Sequence, residues 1–146
     1  QALGEALSDL SDIELSDVNL EQLGKDERRL LDQFAYRYTR LQDDMGARLF
    51  PATLRALGED IAPMPALDRL ARLEQLGWLP SADEWAELRR IRNEFAHDYP
   101  DTVEERFARL QLAFHSAQRA LDILAQLRAH ILTRFPQITS SLPTTG

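Results

Sequence analysis

The chain of 146 residues contains no cysteine. Disulfides and thiolate chemistry are thereby excluded, and a reducing cytosol is the expected setting. No apolar run approaches the roughly 20 residues that a membrane span needs. The N-terminus has no basic stretch followed by an apolar one, so a signal peptide is not expected. The six glycines are too scattered for a phosphate loop, and the three histidines show no His-Glu-x-x-His spacing. Neither a metal nor another cofactor is expected. Strand-like alternation and internal repeats are also missing. An excess of positive charge is missing: 24 acidic residues outweigh 17 basic ones, and the net charge of −7 argues against a surface that coats nucleic acid. Residues 1–24 contribute −6 of this through Glu5, Asp9, Asp12, Glu14, Asp17 and Glu21, with no base. Subtracting −6 from −7 leaves −1 for the rest, and a near-neutral body can carry a local basic cleft.

What is present is helical periodicity. Residues 1–24 form an acidic N-terminal arm with interspersed Leu7, Leu10, Ile13, Leu15, Val18 and Leu20, too apolar for a purely disordered tail. A helical domain is expected over 25–135, followed by a flexible tail over 136–146. Leu30, Phe34, Leu41, Met45 and Leu49, with Tyr38 beside them, predict an amphipathic first helix to about Phe50. Pro51 suits the first residue of a short second helix that stops at Gly58. Residues 61–65 hold two prolines and predict a loop. Leu67, Leu70, Ala71 and Leu73 then mark a third helix closing at Gly77, after which Trp78 and Leu79 are expected in the core. Ser81 and Glu84 form a capping box for a fourth helix with the apolar stripe Trp85, Leu88, Ile91 and Phe95. Pro100 should end it. Asp101 or Thr102 caps a long last helix, whose Val103, Phe107, Leu110, Phe114, Ala117, Leu121 and Leu124 can pack along the first in an up-down bundle of four to five helices. A second face, with Leu112, Ile123 and Leu127, is read first as core and second as a subunit contact. The tail ends Leu142-Pro143-Thr144-Thr145-Gly146, similar to a Leu-Pro-x-Thr-Gly sorting signal, but no surface anchoring is inferred.

The fourth helix carries the densest mixed chemistry, in the stretch ELRRIRNEFAHDYP at 87–100. Arg92, Asn93, His97 and Tyr99 read Arg-Asn-x-x-Ala-His-x-Tyr. Metal-independent RNA cleavage needs a group to take the 2′-hydroxyl proton, one to protonate the leaving 5′-oxygen, and positive charge on the phosphorus centre. A histidine suits either proton role because its pKa lies near neutral. An arginine supplies a fixed fork of donors to phosphate oxygens. Asn93 can orient either partner, and Arg89 and Arg90 can track an RNA backbone. Alone, each residue has a plainer reading. Arg92 could pair with Glu87 or Glu94, Arg89 and Arg90 could balance Glu84 and Glu87, His97 could simply end the helix, and Tyr99 could pack as a lid. Arg109 and His115, six apart, read as an accidental near-copy.

Five residues rotate a regular helix by about 140°, so Arg92 and His97 do not share a face, whereas Asn93 and His97 do. Either Arg92 reaches around or the last turn unwinds. The helix dipole at this C-terminal end favours a protonated His97 and hence an acid or phosphate-binding role. One His and one Arg are few for this chemistry, but a two-fold dimer through the fourth helix would bring two of each together.

The extended string resembles the signature of the HEPN superfamily, and most of all the HepT-like toxins that partner minimal nucleotidyltransferases. The match is complete at Arg92, Asn93, His97 and Tyr99; outside the motif the resemblance is an all-helical pattern over about 25–135. It implies an all-α, HEPN-like bundle that dimerises through the motif helix. Arg92 and His97 would be the catalytic pair in a composite dimer cleft, with Asn93 in support and RNA as substrate. It further implies a cognate nucleotidyltransferase antitoxin that silences the toxin by transferring AMP to Tyr99. A non-catalytic binding subunit of a nucleotidyltransferase and a plain helical interaction module are the other readings.

Overall fold

In a computed structural model, residues 25–97 and 102–136 are described. The acidic arm, residues 98–101 with Tyr99 and Pro100, and the C-terminal tail lie outside the described residues. The fold is an all-α bundle built from α1 (Lys25–Asp44), α2 (Phe50–Ala56), α3 (Ala66–Gln75), α4 (Ala82–His97) and α5 (Val103–Arg134). Among the described residues there is no strand, and no helix is long and apolar enough to cross a membrane.

The boundaries follow local chemistry. Gly58 and Gly77 close α2 and α3 with φ of +84° and +80°, the left-handed geometry that glycine adopts without steric cost. Ser81 Oγ accepts from Glu84 N–H at 3.0 Å. Only this half of the expected capping box forms, because the Glu84 carboxylate is drawn away to Arg119, which donates from Nε at 2.8 Å and Nη2 at 2.9 Å. Thr102, not Asp101, caps α5 and accepts from Glu105 N–H at 3.1 Å. The 32 residues of α5 contain neither glycine nor proline and span about 48 Å at ~1.5 Å per residue.

The expected break before Pro51 is absent. Met45–Leu49 is a π-helical turn that joins α1 to α2, with Asp44, Leu49 and Phe50 all in right-handed helical geometry. Phe50 N–H bonds to Met45 O, five residues back. Pro51 follows at once, where the helix tolerates a residue without an N–H. On a regular helix Met45 and Phe50 would diverge by about 140°. The wide turn lets both enter the same core, and each is only 2% exposed.

That core has two parts. One gathers Met45, Phe50, Leu54, Leu73, Trp78, Leu79, Trp85, Ile123 and Leu127. Trp78 and Leu79 are therefore core, as expected, and Ile123 and Leu127 belong to the fold itself. Leu67 departs from its expected place: it is 71% exposed at the start of α3. The other part stacks aromatics between α1, α4 and α5. Phe34 lies parallel to Tyr38 with centroids 5.5 Å apart and meets Phe114 edge-on at 4.7 Å, while Tyr38 meets Phe95 edge-on at 5.6 Å. Such pairs prefer these offset and edge geometries.

A buried polar node joins the same three helices. Tyr38 Oη donates to Ser116 Oγ at 2.8 Å. Gln42 Nε2 lies 3.1 Å from both Ser116 Oγ and Leu88 O. All three side chains are essentially inaccessible to solvent. Burial pushes the Tyr38 phenol up to about 12, against the Ser116 bond and the charges of Arg92 and Arg89. An unfolded Tyr38 releases its proton near its ordinary 10.0, whereas the folded one holds it to about 12. Its contribution is thus intact below the unfolded value and is lost as pH rises through that interval. Tyr38→Phe should cost about 0.5–1.5 kcal/mol at neutral pH. In denaturant melts it should also remove part of the alkaline loss of stability seen in the parent.

Candidate functional site

Helix α4 lies between α1 and α5, and its two sides are used differently. Trp85 and Leu88 are buried inward. Arg119 on α5 pairs with Glu84, and Arg109 Nη1 donates to Glu94 O at 3.3 Å. Facing α1 is an ionic cluster centred on a residue that the motif does not contain. Asp43 Oδ1 accepts from Arg89 Nη1 at 2.6 Å, and its Oδ2 accepts from Arg92 Nη2 at 2.7 Å. Each carboxylate oxygen serves a different arginine. Burial alone would raise the Asp43 carboxyl, but the bonds and charges of Arg89 and Arg92 outweigh it and hold the group below its ordinary value.

Arg92 is the shielded member: its side chain is 13% exposed, against 42% for Arg89 and 43% for Asp43. Its Nη1 donates to Asn93 Oδ1 at 3.3 Å, so Asn93 does touch the residue it was expected to orient. The Arg92 Nε–H is buried with no partner among the described residues. Neither Glu87 nor Glu94 pairs with Arg92. Both are taken by Arg90, which donates to Glu87 through Nε and Nη2 and to Glu94 at 2.6 Å. Those bonds hold the Arg90 guanidinium above its ordinary pKa. The expectation that Arg89 and Arg90 act together is therefore divided: Arg89 joins the Asp43 cluster, while Arg90 is clamped along its own helix.

These residues border a groove of about 760 Å³ between the α1–α2 rod, α3 and α4. Its walls are Ala47, Phe50, Pro51, Leu70, Trp85 and Ala86, and Asp43, Arg69, Arg89, Arg92 and Asn93 also face it. The Trp85 indole packs beside α1 at Gly46, where an added Cβ would lie 3.9 Å from the ring, an ordinary van der Waals contact. Arg69 reaches back to the carbonyls of Met64 at 3.1 Å and Ile61 at 3.0 Å, fixing the loop that frames α3.

His97 is the last residue of α4, and the helix continues to it without unwinding. The side chain of His97 and the whole of Tyr99 lie outside the described residues. By register, position 97 follows Asn93 by four and shares its face, whereas Arg92 is turned toward α1. Arg92, Asn93 and Arg89 are thus brought together; Arg90 also lines the groove, but Glu87 and Glu94 hold it along its own helix. Among the described residues no group of three His, Asp or Glu side chains is arranged to hold a metal. Compared with protein-family models, curated proteins and solved structures, the chain matches none.

Asp43 escaped the sequence reading because it lies 49 positions from Arg92. The available signal was weak: Gln42, Asp43 and Asp44 are polar residues flanked by the apolar Leu41 and Met45 of an amphipathic helix. Arg92→Ala should destabilise the fold by about 1–3 kcal/mol, since it strands Asp43 and empties a packed site. Arg90→Ala should leave the melting temperature unchanged. The stabilisation from Asp43 should be complete above the ordinary carboxylate range and disappear as pH falls below it. Asp43→Asn should therefore flatten that part of the acid melting curve.

Proposed function

We propose that the protein is a cytosolic, metal-independent endoribonuclease toxin of a toxin–antitoxin pair, with Arg92 and His97 as its reacting pair. The observation that carries this reading is the sequence string Arg-Asn-x-x-Ala-His-x-Tyr, whose Arg92 to His97 part lies on α4, with Asn93 bonded to Arg92 at 3.3 Å. It is supported by the groove beside Arg92 and by the polar stripe that α4 leaves open, through Glu87, Arg90 and Asn93, on which position 97 comes next. A HEPN-like dimer through that stripe would assemble two copies of the pair across a two-fold axis.

In the proposed reaction the ribose 2′-oxygen loses its proton to one His97 and bonds to phosphorus. The bond from phosphorus to the 5′-oxygen breaks, and the departing oxygen takes a proton from the other His97. Arg92 faces the charge that builds on the non-bridging oxygens. The products are a cyclic phosphate and a 5′-hydroxyl, with no further reactant consumed. A cognate nucleotidyltransferase antitoxin would silence the toxin by moving AMP onto the Tyr99 phenol. The added phosphate would oppose RNA at the same cationic groups.

The salt link from Arg92 to Asp43 favours a second reading, a non-catalytic subunit that binds substrate for a nucleotidyltransferase. Cleavage separates the two. His97→Ala and Arg92→Ala should each abolish cleavage and growth toxicity, and wild-type cleavage should persist in chelator and leave a cyclic phosphate. Full activity in His97→Ala would sink the ribonuclease reading. Inert wild-type protein that still binds the transferase would establish the second.

Assembly and silencing are tested together. The active species should be a dimer, and co-expression with the transferase should add the mass of one adenylate at Tyr99. Tyr99→Phe should remain toxic in its presence. An active monomer, or neutralisation with Tyr99 unmodified, would overturn the shared cleft or the modification respectively.

A further inference from the structure

We propose that Asp43 is a built-in competitor for phosphate, holding Arg89 and Arg92 in the free protein and giving them up when a phosphate group enters the groove. The inference rests on the proposed function only for RNA as the natural source of that phosphate. Two guanidiniums converge on one carboxylate, at 2.6 Å and 2.7 Å, which leaves the cluster one positive charge in excess. The two carboxylate oxygens are used singly, one per arginine, in the way the two non-bridging oxygens of a phosphodiester could be. A phosphate also offers additional lone pairs, and the cluster has a donor to spare in the buried Arg92 Nε–H.

The exposures set which partner can leave. Arg92 is shielded, and a shielded guanidinium must always face a counter-charge. Asp43 is nearly half exposed, so it can turn to water at little cost. The neighbouring Asp44 is engaged elsewhere, 3.8 Å from Arg40 and 3.9 Å from Arg48, and does not compete for the same arginines. The groove that opens on the cluster is large enough for a nucleotide, about 760 Å³, within the range of small-ligand sites. Its apolar wall at Ala47, Pro51 and Leu70 could receive a ribose or base while the arginines take the phosphate.

The test measures binding without cleavage. Full-length wild type and Asp43→Asn, an isosteric change that keeps an acceptor, are titrated with inorganic phosphate, AMP and a short 2′-O-methyl RNA that has no free 2′-hydroxyl. Asp43→Asn should melt lower without ligand, yet bind its best phosphate ligand on the order of tenfold more tightly, since a like charge has been removed beside the anion. At saturation that ligand should raise the Asp43→Asn melting temperature by about 3–6 °C more than that of wild type. Asp43→Asn combined with Arg92→Ala should lose the gain. Tightening for all three probes identifies phosphate itself as the competitor, and tightening for the 2′-O-methyl RNA alone identifies a polymer backbone. Unchanged or weaker binding in Asp43→Asn overturns the proposal, as does a gain that survives loss of Arg92. Displacement of Asp43 in a protein that cleaves no RNA would refute the ribonuclease reading and keep this one; cleavage with unaltered Asp43→Asn binding would do the reverse.

Discussion

The arrangement of the cluster depends on a register lock that lies one residue away from it on both helices. Gln42 reaches Leu88 O on α4 and Ser116 Oγ on α5, and Tyr38 completes the node from the next turn of α1. Apolar packing tolerates sliding along a helix; a buried hydrogen bond does not, because a shift leaves polar atoms unpaired at a cost of about 1–3 kcal/mol each. One residue after Gln42 comes Asp43, and one residue after Leu88 comes Arg89. Fixing 42 against 88 therefore sets 43 against 89 and, one turn further, against 92. The ionic cluster follows from the polar node.

The π-turn sets the other wall of the groove. It lies between Asp43 and Pro51, both of which border the groove, and it lets Met45 and Phe50 both point inward. Phe50 then meets Trp85 edge-on at 4.8 Å, and Trp85 sits one turn before Arg89. A regular helix through Pro51 would have set the proline ring against the carbonyl four residues earlier. The irregularity thus relieves the proline and keeps the α1–α2 rod continuous beside α4. Irregular turns of this type occur often at functional sites.

Most of the fold was legible because its signals are local. Ser81, Thr102, Gly58 and Gly77 mark helix ends through their own geometry, and the stripes of α1, α4 and α5 announce their buried faces. The π-turn was not legible. Pro51 was consistent with the start of a separate second helix, and only tertiary packing of Met45 and Phe50 decides for a continuous rod. The expected capping box was half right for a similar reason: Arg119, a distant partner, claims the Glu84 carboxylate. At the site, the contact of Asn93 with Arg92 was legible from adjacency, whereas the acid facing Arg92 was not. Nearby Glu87 and Glu94 were the natural candidates, but on a helix they lie within reach of Arg90. Arg92 faces a different helix, and periodicity does not pair residues across helices.

This pairing changes what an arginine in such a string signifies. A salt bridge is commonly taken as a reason to assign a residue to structure and remove it from function. Here the two are not alternatives. A guanidinium kept from water next to a groove needs an anion in the resting state, or its burial would be too costly to sustain. A carboxylate from a neighbouring helix supplies it while keeping the donors oriented for a later anion. The restraint is asymmetric, since Arg92 is shielded and Asp43 is open to solvent. The ion pair can therefore be broken from the Asp43 side alone, with the arginine left in place.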